Sequence, residues 1–278
     1  MASSPCFYLL PPATFVELVG KRRTLQRMRP QLMRLLSLGI CFVLWLAGAC
    51  QADDHCGAEI KLLLVPTETH SVETAFKAGK STTGSVYFFD TNALELLAQG
   101  VILRLRSGAT SDLTVKLRPP ANIADSGWLK GTKRYKCEVD VTGEAEAALR
   151  SYSIQTKFAG TLPQTGSQLF EHLSSAQREL LEQAHVSIDW ARIKKIGEIR
   201  STDWTIKGQS PFSKLVLELW EWKTGEILEL STKARGDAEA SAYAQLRQMA
   251  LNKGLSLNRD QKSKTALALK DLIRTPAE

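Results

Sequence analysis

The sequence predicts an α+β protein built around a β-barrel with a charged interior. Three observations carry that expectation. Short segments alternating apolar and polar residues recur about seven times, the period-two pattern of strands. Their polar faces mix cations with isolated acids, unlike the Ser, Thr, Gln and Lys variety of a solvated sheet. Stripes at helical spacing between them supply cover for the apolar faces. Taken singly, each strand also suits a sheet with one face in water. Recurrence decides for a barrel, and an ionic interior then requires water and a charged ligand, because unpaired buried charge is too costly.

The elements follow in order. In residues 58–65, Glu59 and Lys61 oppose Ile60, Leu62 and Leu64. A short helix is expected over 92–98. In 101–106, Arg104 and Arg106 oppose Leu103 and Leu105, and in 113–118, Thr114, Lys116 and Arg118 oppose Val115 and Leu117. In 134–141, Arg134, Lys136, Glu138 and Asp140 oppose Cys137 and Val139. The spacing of Leu169, Leu173, Ala176, Leu180 and Ala184 predicts a helix over 167–185. In 196–206, Glu198, Arg200 and Thr202 share one face. Glu218 sits among aliphatic residues in 215–220, and Glu229, Ser231 and Lys233 share a face in 226–233. Two helices are expected over 237–253, with Gly254 as its C-cap, and over 263–273. Trp190, Trp204, Trp220 and Trp222 are assigned to packing.

The chain has 278 residues, 36 basic and 29 acidic, for a formal net charge of +7. Six of the basic residues and one acid fall in the first 52, which leaves 30 against 28 in the remainder. The excess is therefore local, and a nucleic-acid footprint is not expected. Arg34 precedes a fifteen-residue uncharged run, Leu35 to Ala49, closed by the small-residue stretch Ala47-Gly48-Ala49-Cys50-Gln51-Ala52, the three-part pattern of an export signal. The run is short beside the ~20 apolar residues of a spanning helix. Cleavage fits after Ala49 or after Ala52, Met33 offers an internal start, and lipidation at Cys50 or a retained anchor are alternatives. Residues 1–52 read as a signal with an upstream extension, and 53–278 as one exported domain, periplasmic or secreted, whose only membrane contact would be that segment.

The ordered motifs of 53–278 resemble the CYTH family, the triphosphate tunnel metalloenzymes. The opening E-x-E-x-K is represented by Gly57-Ala58-Glu59-Ile60-Lys61, and the family's Y-F-D-T by Tyr87-Phe88-Phe89-Asp90-Thr91. Leu103-Arg104-Leu105-Arg106 matches L-R-L-R, Thr114-Val115-Lys116 matches T-x-K, and Lys136-Cys137-Glu138-Val139-Asp140 resembles R-x-E-x-E. Ile199-Arg200, Leu217-Glu218, Leu228-Glu229-Leu230-Ser231 and Lys262-Ser263-Lys264 resemble the later strands and closing K-S-K. The resemblance implies a closed antiparallel tunnel of eight strands with flanking helices. It implies phosphate binding by Lys61, Arg104, Arg106, Lys116, Lys136 and Arg200, since Arg forks and ammonium groups neutralise a triphosphate. It implies that Glu59, Glu138, Asp140, Glu218 and Glu229 hold Mg²⁺ or Mn²⁺, hard cations that take oxygen ligands, or orient the attacking water. Glu59 and Lys61 are the implied catalytic residues. Gly57 in place of the first Glu, and Ser231 where a second carboxylate often follows Glu229, are departures from the family pattern that would lower metal occupancy or weaken water activation.

The expected function is a metal-dependent phosphohydrolase acting outside the cytosol on inorganic triphosphate, short polyphosphate or a nucleoside triphosphate. The alternative is a catalytically degenerate anion-binding module of the cell envelope. A carrier with an apolar ligand requires the opposite faces to point inward. Cys56 and Cys137 lie on the parity opposite to the charged face and are expected to pair outside the tunnel, with two free thiols as the alternative.

Overall fold

The computed structural model describes residues 56–274, apart from 110, 122, 124–126, 144–147 and 235–238. The expected signal segment, with its cleavage points, Cys50 and Met33, lies outside the described residues.

Nine strands close into one barrel: β1 (Gly57–Leu64), β2 (Ser81–Asp90), β3 (Val101–Gly108), β4 (Asp112–Leu117), β5 (Tyr135–Thr142), β6 (Ala148–Lys157), β7 (Lys194–Gln209), β8 (Phe212–Trp222) and β9 (Gly225–Ala234). Their order around the barrel is β1-β5-β6-β4-β3-β2-β7-β8-β9. All neighbours are antiparallel except β1 and β5, which run parallel with Glu59 beside Asp140. This corrects the expectation of eight antiparallel strands. An odd number of strands cannot alternate in direction all the way round, so one seam must be parallel. The added strand is β6, whose inward residues Ser151 and Ser153 are uncharged and so give the sequence no charged alternation there.

The helices are α1 (Thr69–Phe76), α2 (Glu95–Ala98), α3 (Gly166–His172), α4 (Ser175–Gln183), α5 (Glu239–Asn252) and α6 (Lys264–Arg274). Asp90 starts α2, its carboxylate accepting the backbone N–H groups of Thr91, Leu96 and Leu97. The single helix expected over 167–185 is two, because Ser174 and Gln177 form a capping box that begins a new helix. Gln177 is fully buried, and its amide donates to the carbonyls of Leu113 and Ile154, pinning α4 to β4 and β6.

The apolar strand faces point outward and are covered. Ile60, Leu62, Leu217 and Leu230 pack with Val72 and Phe76 of α1 and Leu246 of α5. Leu103, Leu105, Val115 and Ile154 pack with Leu169 of α3 and Leu180 of α4. A third cluster is internal: Leu63, Val86, Phe88, Ile102, Ile199, Trp220 and Ile227 meet Ala268 and Leu269 of α6. These residues share strand faces with the charged side chains. The lumen is thus apolar at the end closed by α6 and ionic toward the other. At ~25 cal/mol per Å², burying a Leu or Phe side chain contributes about 1.5–3 kcal/mol, so these clusters hold the barrel closed around an ionic centre.

Candidate active site

The inward faces of β1, β3 and β4 bring cations to one lumen, around Asp140 of β5. Lys61 on β1 lies 3.0 Å from Glu59 and 2.6 Å from Asp140. Asp140 also receives Lys116 and Arg118 of the β4 wall, each at 2.8 Å. Arg106 pairs with Asp112 at 2.7 Å, and Thr114 donates to the same carboxylate at 3.0 Å. Arg104 stands between Phe88 and Thr114 in register. Among the described residues no carboxylate lies within ion-pair distance of it, and its buried Nε makes no hydrogen bond.

The electrostatics follow from this crowding. Burial opposes the charge of Asp140, but Lys61, Lys116 and Arg118 outweigh it and hold the carboxyl well below its ordinary range. Burial likewise opposes the Lys61 ammonium, and Glu59 and Asp140 reverse that, raising its pKa. One carboxylate cannot compensate three cations equally. Lys116 is left short: burial, with Lys61 and Arg118 beside it, pushes it down to about 8. Burial and the neighbouring Arg106 also lower the pKa of Arg104.

The opposite wall is acidic. Asp203, Glu218 and Glu229 lie directly across from one another on β7, β8 and β9. Lys264, the first residue of α6, contacts Glu218 and lies 2.8 Å from Glu229. Burial opposes the charge of Glu218, but Lys264 and the Trp220 indole N–H, 2.6 Å away, bring it down to about 2. Burial and the like charge of Glu218 raise the pKa of Asp203. Trp220, assigned to packing, thus also touches a site carboxylate.

The positions expected from sequence divide as follows. Glu59, Lys61, Arg104, Arg106, Lys116, Asp140, Glu218 and Glu229 face the lumen. Glu138 and Lys136 lie on the inward face of β5, where Glu138 pairs with Lys233 at 3.2 Å and Lys136 is exposed. Arg200 is a correction: it is exposed and points outward. The β2–β7 register slips between Val86 and Phe88, and Gly197, at φ +62°, sits in the extra residue pair. Such a bulge transfers every later side chain to the other face. Ser201 and Asp203 therefore face inward, in place of Arg200 and Thr202. Asp112, Asp203 and Arg118 join the site without having been singled out. Arg118 carried a signal, since it continues the Thr114–Lys116 alternation. A small cleft of about 40 Å³ is lined by residues including Thr83, Gly84, Arg106, Ser107, Ser201 and Asp203.

Cys56 and Cys137 form a disulfide with a Cα separation of 4.7 Å, on the outside of the β1–β5 seam. Gly57 presents open space where a side chain would begin. The carboxylates fit a divalent cation poorly in this geometry. No group of three His, Cys, Asp or Glu among the described residues is placed to hold one. Glu59, Glu138, Asp140, Glu218 and Glu229 each carry an ammonium or guanidinium partner.

No protein-family model matches the sequence, and no curated protein does. Solved structures do share its architecture. One is a protein from Hippeastrum described as a candidate adenylyl cyclase with a dominant triphosphatase activity. It is 18% identical with a TM-score of 0.53, over 77% of this chain and 95% of that one. Another is a candidate adenylate cyclase from Bacillus halodurans, 14% identical with a TM-score of 0.52, over 77% of this chain and 97% of that one. The chain shares with them a closed barrel with flanking helices, the fold that its resemblance to the CYTH family implied. At these identities the likeness establishes the fold, and the chemistry has to come from the site.

Proposed function

We propose that the tunnel binds a triphosphate-bearing anion (inorganic triphosphate, a short polyphosphate or a nucleoside triphosphate) and hydrolyses it outside the cytosol. The observation that carries this reading is the convergence of Lys61, Arg104, Arg106, Lys116 and Arg118 on one lumen, with no carboxylate within ion-pair distance of Arg104 among the described residues. A half-buried guanidinium whose buried Nε lacks an acceptor is costly, and a phosphate oxygen would supply that acceptor. Phosphoryl transfer to water runs through a loose transition state, and positioning plus charge stabilisation supply most of the catalysis. The two arginines would fork the anion, Lys61 and Lys116 would neutralise its oxygens, and Glu59 would orient the attacking water. The disulfide supports an oxidising compartment.

The second reading is an anion-binding module without turnover. It is favoured by Glu59, Glu138, Asp140, Glu218 and Glu229, each paired with a cation of the chain, and by Gly57 and Ser231. Phosphate release from tripolyphosphate and ATP, measured with Mg²⁺, Mn²⁺ or EDTA, together with a metal-free binding titration, separates the two. The hydrolase reading expects metal-stimulated release, lost in Glu138→Ala. Binding without release establishes the module. Arg104→Ala should weaken binding about 10- to 100-fold, the worth of a hydrogen bond to a charged group. Arg200→Ala should leave it unchanged. Intact binding in Arg104→Ala refutes the tunnel as the anion site.

A further inference from the structure

The acidic wall poses an electrostatic problem that the phosphate reading does not solve. Asp203, Glu218 and Glu229 stand opposite one another on adjacent strands. Like charges so placed destabilise a sheet. The chain answers with a cation of its own. Lys264 bridges Glu218 and Glu229, and its ammonium also lies 4.6 Å from the centre of the Trp220 ring. The Ser201 hydroxyl lies 3.2 Å from Asp203 and 3.1 Å from Glu218 and can donate its one proton to either.

Lys264 is held in place by the helix it begins. Arg118 donates to Ser263, the preceding residue, at 2.9 Å while its other arm stays on Asp140. Ala268 and Leu269 are buried in the closed end of the barrel. Trp222 and Thr224 each donate to Asp271 at 2.8 Å. The contacts fix α6 on both sides of its buried face, and Lys264 is set between the two glutamates by that anchoring rather than by its own flexible stem.

We propose that Lys264 is a built-in counter-ion that competes with divalent cations for Glu218 and Glu229. A small hard cation needs the carboxylate oxygens that the ammonium occupies, at ~2.0–2.1 Å for Mg²⁺. Ammonium and metal cannot share the position, so metal loading of this wall requires the first turn of α6 to release its lysine. The docked helix is therefore an autoinhibitory contact for cation binding, whatever anion the opposite wall receives.

The test uses the full chain and Mn²⁺ alone, with no phosphate compound, and reads bound metal by electron paramagnetic resonance and calorimetry. Lys264→Gln should bind one Mn²⁺ about tenfold or more tightly than the wild type, because a unit positive charge within a few ångströms is removed. Lys264→Arg should behave as the wild type, and Glu229→Gln added to Lys264→Gln should abolish the gain. Equal or weaker Mn²⁺ binding by Lys264→Gln overturns the proposal. Should that variant fail to fold, hydrogen exchange on the wild type decides. Saturating Mn²⁺ should speed exchange of the Leu267 amide, which donates to the Ser263 carbonyl at 3.1 Å, and unchanged protection there overturns the proposal equally.

Discussion

Removal of the Cys56–Cys137 disulfide tests how the barrel is closed. The bridge spans 81 positions of sequence and sits on the β1–β5 seam, where the two strands run parallel. A cross-link stabilises chiefly by restricting the unfolded chain, and for a loop of this length the chain-entropy relation gives about 4.5 kcal/mol at 25 °C. For a domain of this size each kcal/mol shifts the thermal midpoint by about 2–4 °C, so Cys56→Ser with Cys137→Ser should lower Tm by roughly 9–18 °C. The fold itself should persist. β1 keeps its ladder with β9 from Ala58 to Leu64, and Ile60, Leu62 and Leu64 keep their outer cover. The assay is thermal unfolding followed by circular dichroism, with and without reductant. Reductant should bring the wild type down to the variant's midpoint and leave the variant unmoved. A double-serine variant that melts with the oxidised wild type would refute the claim that this bridge secures the seam. Because β1 carries Glu59 and Lys61, the same variant should also bind tripolyphosphate more weakly.

Two further predictions concern pH. Asp140 is held below its ordinary range and Glu218 lies at about 2, so their stabilisation is complete above the unfolded carboxylate values near pH 4 and is lost as pH falls through the folded ones. Midpoints recorded from pH 6 to pH 2 should therefore fall through the acid limb, and a flat profile contradicts the assignment. Lys116, pushed down to about 8 by burial and by Lys61 and Arg118, should lose its charge as pH rises past that value, so tripolyphosphate affinity should drop between pH 7 and pH 9. Lys116→Arg should keep its affinity across that range, since a guanidinium stays protonated.

Much of the architecture was legible because period-two alternation is a local property. Glu59 and Lys61, Arg104 and Arg106, and Lys116 and Arg118 occupy successive inward positions, and each pair announces which face its strand turns to the lumen. The reading failed where the signal was chemical rather than periodic. β6 turns Ser151 and Ser153 inward, and a neutral inward face resembles an ordinary solvated one. It failed again where a backbone irregularity intervened. Gly197 adopts a left-handed conformation that tolerates an extra residue, and the slip beside it moved Arg200 out and Asp203 in.

The sequence by itself determined the strands, the helical cover, the cationic wall and the outward parity of the two cysteines, because each depends on residues within a few positions of one another. The tertiary structure decided the partners. Only closure of nine strands makes one seam parallel, sets Glu59 beside Asp140 and lines up Asp203, Glu218 and Glu229. Only the docking of α6 delivers Lys264 to carboxylates 35 and 46 positions away in the chain. Coulomb energy depends on distance through space, and separation along the chain leaves that distance open until the barrel has closed.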